Sequence, residues 1–117
     1  MPRKPRIHYE GALYHVIVRG NNRSSIFEKK ENKAEYLNII KRYKKKYSFK
    51  LYAYCIMDNH AHILIEVDKA PLSKIMQVIQ QVYTQNYNKD YERTGHVFEQ
   101  RYKAIICDKD SYLLNLI

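Results

Sequence analysis

The chain of 117 residues has no tryptophan, three glycines, three prolines and two cysteines. The cysteines, Cys55 and Cys107, lack metal-type spacing, which excludes a cysteine-based zinc site and a disulfide framework. Both fall in apolar β-like runs and read as reduced core residues of a cytoplasmic protein. The scarcity of glycine and proline leaves no linker, repeat or low-complexity segment, so one domain is expected over residues 1–117. No apolar run approaches the roughly 18 residues of a membrane span, and no membrane partner is expected. Pro2-Arg3-Lys4-Pro5-Arg6 is followed by no apolar stretch, so no secretory signal is expected either. Acidic residues are also short. Asp and Glu number 12 against 21 Lys and Arg, a net charge of +9 that points to nucleic acid or another acidic surface.

What the chain has in excess is tyrosine, twelve in all. Such rings can stack on bases, although most of these occupy positions where amphipathic core edges are expected. Residues 12–19 are a β-rich run ended by Gly20-Asn21-Asn22, a turn cluster that tolerates positive φ. From 32 to about 47 the pattern is helical, with Tyr36, Ile40, Tyr43 and Tyr47 on one stripe. Lys41, Arg42, Lys44, Lys45 and Lys46 lie opposite and read as a solvated face. Residues 49–57 and 60–67 are two strand-like runs separated by Asp58-Asn59, residue types that take the positive φ of a tight hairpin.

Pro71 opens a helix with the stripe Leu72, Ile75, Met76, Ile79, Val82 and Tyr83, expected to fray between 86 and 91. Residues 97–107 read as a further strand, and Asp108 or Asp110 as the cap of a helix from about Ser111. That helix begins an apolar face at Leu113, Leu114, Leu116 and Ile117 without a stop signal, so it is expected to be truncated within its length. Strand–helix–strand–strand–helix–strand is the order of an α+β, ferredoxin-like antiparallel sheet. Its helices pack on one face and its central strands are open on the other.

The most informative pattern is His60-Ala61-His62, between Asn59 and Ile63-Leu64-Ile65. Alternate residues of a strand share a face, so both imidazoles project together while Ala61, Ile63 and Ile65 pack behind. Two neutral imidazoles so placed can hold one divalent metal, but a complete site needs a third protein ligand from another element. Glu66 on the same face lies roughly 13 Å along the strand from His62, too far to share the ion. Arg19-Gly20-Asn21-Asn22-Arg23 offers backbone N–H groups and guanidiniums to a phosphate. Arg93-Thr94-Gly95-His96 and Arg101-Tyr102-Lys103 are dense in phosphate-binding and stacking types. A tyrosine phenolate can attack a phosphodiester beside a metal. Tyr83, Tyr87 and Tyr91, spaced by four, read as a core-edge stripe; Tyr112 stands at the start of the last helix.

Ala12-Leu13-Tyr14-His15-Val16 with Arg19-Gly20-Asn21, and Tyr54 to Met57 running through Asn59-His60-Ala61-His62, resemble the HUH single-tyrosine transposases. The closer likeness is to the subgroup that includes the REP-associated tyrosine transposases. Tyr83-Thr84, Asn88, Arg93-Thr94-Gly95-His96, Arg101-Tyr102-Lys103 and Tyr112-Leu113-Leu114 match in the same order. The resemblance implies a catalytic domain with the HUH pair on a central strand, acting on single-stranded or hairpin DNA. It implies Mg²⁺ or Mn²⁺ at His60 and His62, and cleavage and rejoining by transesterification through a tyrosine. By the family's pattern that nucleophile lies past Ile117, with Tyr112 the fallback within the chain. Arg19, Asn21, Arg23, Arg93, His96, Arg101 and Lys103 are the candidate DNA contacts. Relatives occur as monomers and homodimers, and both states stay open here. Two rival readings remain: a non-catalytic nucleic-acid-binding module of the same fold, and a metal-dependent hydrolase in which water attacks.

Overall fold

The computed structural model describes residues 9–107. Strands β1 (Leu13–Arg19), β2 (Lys50–Ile56), β3 (His60–Glu66) and β4 (Lys103–Cys107) form one antiparallel sheet in the order β2-β3-β1-β4. Helix α1 (Lys30–Tyr47) links β1 to β2, and α2 (Leu72–Asp90) links β3 to β4. This is the expected ferredoxin-like order, with β3 and β1 in the centre. No helix among the described residues is long and apolar enough to cross a membrane.

Strand alternation decides what each face does. Tyr14, Val16 and Val18 of β1 and Ala61, Ile63 and Ile65 of β3 point to one side. There they pack against Tyr36, Ile39 and Ile40 of α1 and against Leu72, Ile75, Met76, Ile79 and Tyr83 of α2. Each fully buried side chain of this kind stabilises the fold by about 1.5–3 kcal/mol. The residues between them, His15, Ile17 and Arg19 on β1 and His60 and His62 on β3, face the other way and are exposed or half-buried.

Four local expectations change. The run 97–107 yields a ladder only at Lys103–Cys107. Val97 and Phe98 are buried, but as loop residues, because Phe98 joins an aromatic cluster with Phe27, Tyr36 and Tyr83 at ring-centroid distances of 5.7–6.1 Å. Only a single bridge pairs it with Gly20. Helix α2 runs through the stretch expected to fray. Its end is tied by Arg93, whose guanidinium donates to Asn88 Oδ1 at 3.0 Å and to the His96 carbonyl at 3.2 Å. The β2–β3 turn has no positive φ at Asp58 or Asn59. Outside amides hold it instead: Phe27 N donates to the Asp58 carbonyl at 2.8 Å and Gly20 N to the Asn59 carbonyl at 2.9 Å. The cysteines are not core residues; Cys55 is exposed and Cys107 half-exposed, on opposite edge strands. The last helix and Tyr112 lie outside the described residues.

Candidate functional site

The antiparallel registers assemble the site on the helix-free face. Arg19 stands opposite His60, and Ile17 opposite His62. Cys55 flanks His62 from β2, and Lys103 flanks Ile17 from β4. Strands repeat every 4.7–4.9 Å, so Lys103 shares this face about 10 Å from His62. The His60 and His62 rings project together, as the period-two pattern requires, with centroids 5.2 Å apart and planes nearly perpendicular.

Each ring has a partner at Nδ1. Asn59 Oδ1, an acceptor only, lies 2.8 Å from His60 Nδ1. In the neutral form of His60 this contact places the hydrogen on Nδ1 and the lone pair on Nε2. His62 Nδ1 lies 3.0 Å from Nε2 of His15, a residue of β1. Burial, reinforced by the like charges of His15, His60 and Arg19, holds the His62 imidazole below the usual histidine range. A neutral His62 is what metal ligation needs.

Two neutral imidazoles fit one borderline divalent ion. Among the described residues no group of three or more His, Cys, Asp or Glu is placed to hold a metal. The pair by itself would supply two of the ligands such an ion needs, fewer than a complete protein site. Glu66 does not contribute. It accepts from Tyr52 Oη at 2.8 Å and faces Lys50 Nζ at 3.7 Å.

Beside His60 opens a cavity of about 440 Å³ lined by Arg19, Gly20, Arg23, Asn59, His60 and Glu99. The turn after β1 shapes it. A Cβ at position 20 would stand 2.2 Å from the Ser24 carbonyl oxygen, so only glycine fits there. Asn22 and Arg23 then take left-handed φ of 53° and 60°. Asn21 N donates to the Val97 carbonyl at 2.8 Å and Glu99 N to the Arg19 carbonyl at 2.9 Å, so loop 97–99 is fastened to the turn. The result is an open pocket lined by His60, two arginines and Glu99, in which the basic residues suit a phosphate.

The candidate contacts therefore separate in space. Arg19 and Arg23 line the cavity with His60, and Lys103 shares the sheet face. Asn21 contributes mainly backbone bonds to the turn. Arg101 is exposed just ahead of β4. Arg93 and His96 lie beyond α2 and do not line the cavity. Arg93 latches its own turn, while His96 lines a separate groove of about 230 Å³ with Gln80, Gln81, Thr84 and Gln85. Glu99 borders both spaces.

Two residues at the site are not among the candidates read from sequence: Glu99, which looks like a strand interruption, and His15, which only the β1–β3 register brings to His62. The tyrosine stripe of α2 is structural. Tyr83 is buried with its phenol donating to the Ile26 carbonyl, and burial raises its pKa, so it makes a poor nucleophile. Tyr91 accepts from Asn32 Nδ2 in the first turn of α1 at 3.3 Å.

Comparison with known proteins adds the following. The family model described as "Transposase IS200 like" matches residues 8–116. No curated protein sequence matches the chain. Among solved structures, that of a REP-associated tyrosine transposase bound to a REP hairpin superposes with a TM-score of 0.76 at 16% identity. The match covers 97% of this chain and 68% of that one. A crystal structure described as "a putative transposase from deinococcus radiodurans" gives a TM-score of 0.69 at 12% identity, covering 98% and 93% of the two chains. At these identities the structural likeness is one of fold.

Proposed function

The chain belongs to the IS200-like transposase family, and from that premise we propose that its helix-free sheet face binds single-stranded or hairpin DNA for metal-assisted strand cleavage and rejoining. The observation that carries this reading is the convergence of His60, Arg19 and Arg23 on one cavity, with His62 alongside on the same strand face.

In this reading His60 and His62 hold Mg²⁺ or Mn²⁺, which when bound polarises a phosphoryl oxygen of the scissile phosphate. Arg19 and Arg23 hold the same phosphate by charge-assisted hydrogen bonds. Lys103 and Arg101 follow the strand across the open face, and Asn21, Arg93 and His96 contact DNA further out. A tyrosine oxygen forms a bond to phosphorus as the P–O3′ bond breaks, giving a 5′-phosphotyrosine. The phenolic proton is balanced by the one gained by the departing 3′-hydroxyl. Because the phosphodiester energy is retained in the adduct, rejoining needs no external energy. The attacking tyrosine belongs to the segment outside residues 9–107: past Ile117 by the family pattern, with Tyr112 the alternative. Residues 1–117 act as one catalytic domain, in the cytoplasm, as a monomer or homodimer.

Calorimetric titration of the chain with Mn²⁺ tests the metal site. One binding event is expected, lost in both His60→Ala and His62→Ala, with single-stranded DNA cleavage blocked by EDTA in any form that carries the nucleophile. Mn²⁺ binding unchanged in both variants, with DNA binding indifferent to EDTA, would overturn the assignment and leave a non-catalytic binding module. A denaturing gel locates the nucleophile. The 117-residue chain is expected to form no covalent DNA adduct, and an adduct lost in Tyr112→Phe would move the nucleophile to Tyr112. Free 5′-phosphate ends without an adduct would instead favour water as the attacking group.

A further inference from the structure

His15 stands outside the motif that singles out His60 and His62, yet its side chain sets a condition on one of them. β1 and β3 pair with His15 opposite Leu64 and Ile17 opposite His62, so His15 and His62 are diagonal neighbours on the open face. Their ring centroids are 5.2 Å apart, and His15 Nε2 approaches His62 Nδ1 to 3.0 Å. At that distance one hydrogen lies between the nitrogens, since two lone pairs or two N–H groups would repel. If it belongs to His15, then neutral His62 carries its own hydrogen on Nε2, and neither nitrogen of His62 has a lone pair free. If it belongs to His62, the Nε2 lone pair of His62 is free.

His60 shows which case matches the site. Its Nδ1 faces Asn59 Oδ1 at 2.8 Å, which fixes the Nδ1–H form and frees Nε2. In His62 the Nδ1 faces His15, so the ring can serve as a ligand only through Nε2, which requires the hydrogen to belong to His62 Nδ1. An acceptor behind Nδ1 is the usual device by which a protein fixes the tautomer and orientation of a ligating histidine. Asn59 serves His60 from the adjoining turn, and β1 supplies the counterpart for His62 from across the sheet.

We propose that His15 is a positioning residue: it accepts the Nδ1–H of His62 and so holds that ring with its Nε2 lone pair turned to the site shared with His60. The proposal rests on the metal reading above for its purpose, but its tautomer content can be tested without any metal.

The test is ¹⁵N long-range correlation NMR on the metal-free chain, labelled in histidine, above the histidine titration range. His62 is expected to show a protonated Nδ1 and an unprotonated Nε2. His15→Phe keeps ring volume but removes the acceptor, and His62 is expected to shift toward the Nε2–H form. His15→Gln restores an acceptor oxygen and is expected to restore the wild-type pattern. In parallel, Mn²⁺ affinity is expected to fall about 10–100-fold in His15→Phe and to recover in His15→Gln. An Nε2–H form of His62 in the wild type, or an unchanged tautomer in His15→Phe, overturns the proposal. Loss of Mn²⁺ in both His15 variants with the tautomer unchanged would make His15 a direct ligand and overturns it as well. If His15→Phe does not fold, the wild-type tautomer alone decides. A wild type that binds no Mn²⁺ but shows the expected tautomer would refute the metal reading and leave the His15–His62 contact as inferred.

Discussion

His62 is where a single residue carries the most chemistry, and its protonation is open to direct measurement. Burial first, then the charges of His15, His60 and Arg19, hold its pKa below the ordinary 6.5. The unfolded chain, lacking that environment, takes up this proton at higher pH than the folded chain does. Between the two values the unfolded state binds more protons, so by linkage stability rises with pH across that window. His62 is therefore expected to titrate below 6.5 in the folded chain when its ring C–H resonance is followed. Denaturant stability is expected to fall as pH drops through 6.5 and to level off once the folded ring is also protonated. His62→Gln should remove that increment. A His62 midpoint at or above 6.5 would contradict the desolvated, cation-flanked environment. The pair itself is legible from sequence because period two is a local property of any strand. His15 is not, since its partnership depends on how β1 slides against β3, and a one-residue slip would turn it to the core.

Among the elements, the turn after β1 does the most to shape the site, and its glycine is the part least tolerant of change. Gly20 donates to the Asn59 carbonyl at 2.9 Å, accepts from Arg23 N at 3.1 Å and lies against the Ser24 backbone. A methyl at this position meets a carbonyl oxygen rather than a flexible side-chain end, so the backbone of 20–24 must move. Gly20→Ala is expected to cost about 1–3 kcal/mol, as overpacking of a filled site does, measured by denaturant unfolding. It should also weaken DNA binding, because the same backbone sets the Arg23 side of the cavity. A variant with wild-type stability and affinity would mean that the turn relaxes without altering the site. The helices, β1 and β3 could be read from periodicity because each buries a regular stripe against the same core, and β2 from its apolar run before the Asp58-Asn59 turn. Residues 97–102 could not. Val97 and Phe98 supply apolar residues in sequence as a strand would, but Phe98 is drawn into an aromatic cluster that no local pattern announces.

At the scale of the whole molecule, the question is which of its positive charges meets DNA. The fold class was legible because element order and sheet handedness leave few arrangements for six elements. That order also separates two basic surfaces. Lys41, Arg42, Lys44, Lys45 and Lys46 ride on α1, which covers one face of the sheet, whereas Arg19, Arg23 and Lys103 border the other, with Arg101 exposed just ahead of β4. A net charge of +9 alone predicts salt-sensitive binding without saying where. For single strands each neutralised phosphate contributes about −0.7 to the slope of log K against log salt, so Arg19, Arg23, Arg101 and Lys103 together give a slope of about −3. Arg19→Gln should therefore flatten the slope by about 0.7 and weaken binding across sequences alike. Lys44→Gln and Lys45→Gln should leave the slope unchanged, since the helix layer stands between them and the histidines. Fluorescence anisotropy of a labelled oligonucleotide over a salt series measures both. If the α1 variants flatten the slope as much as Arg19→Gln does, the strand passes around the molecule rather than across its open face.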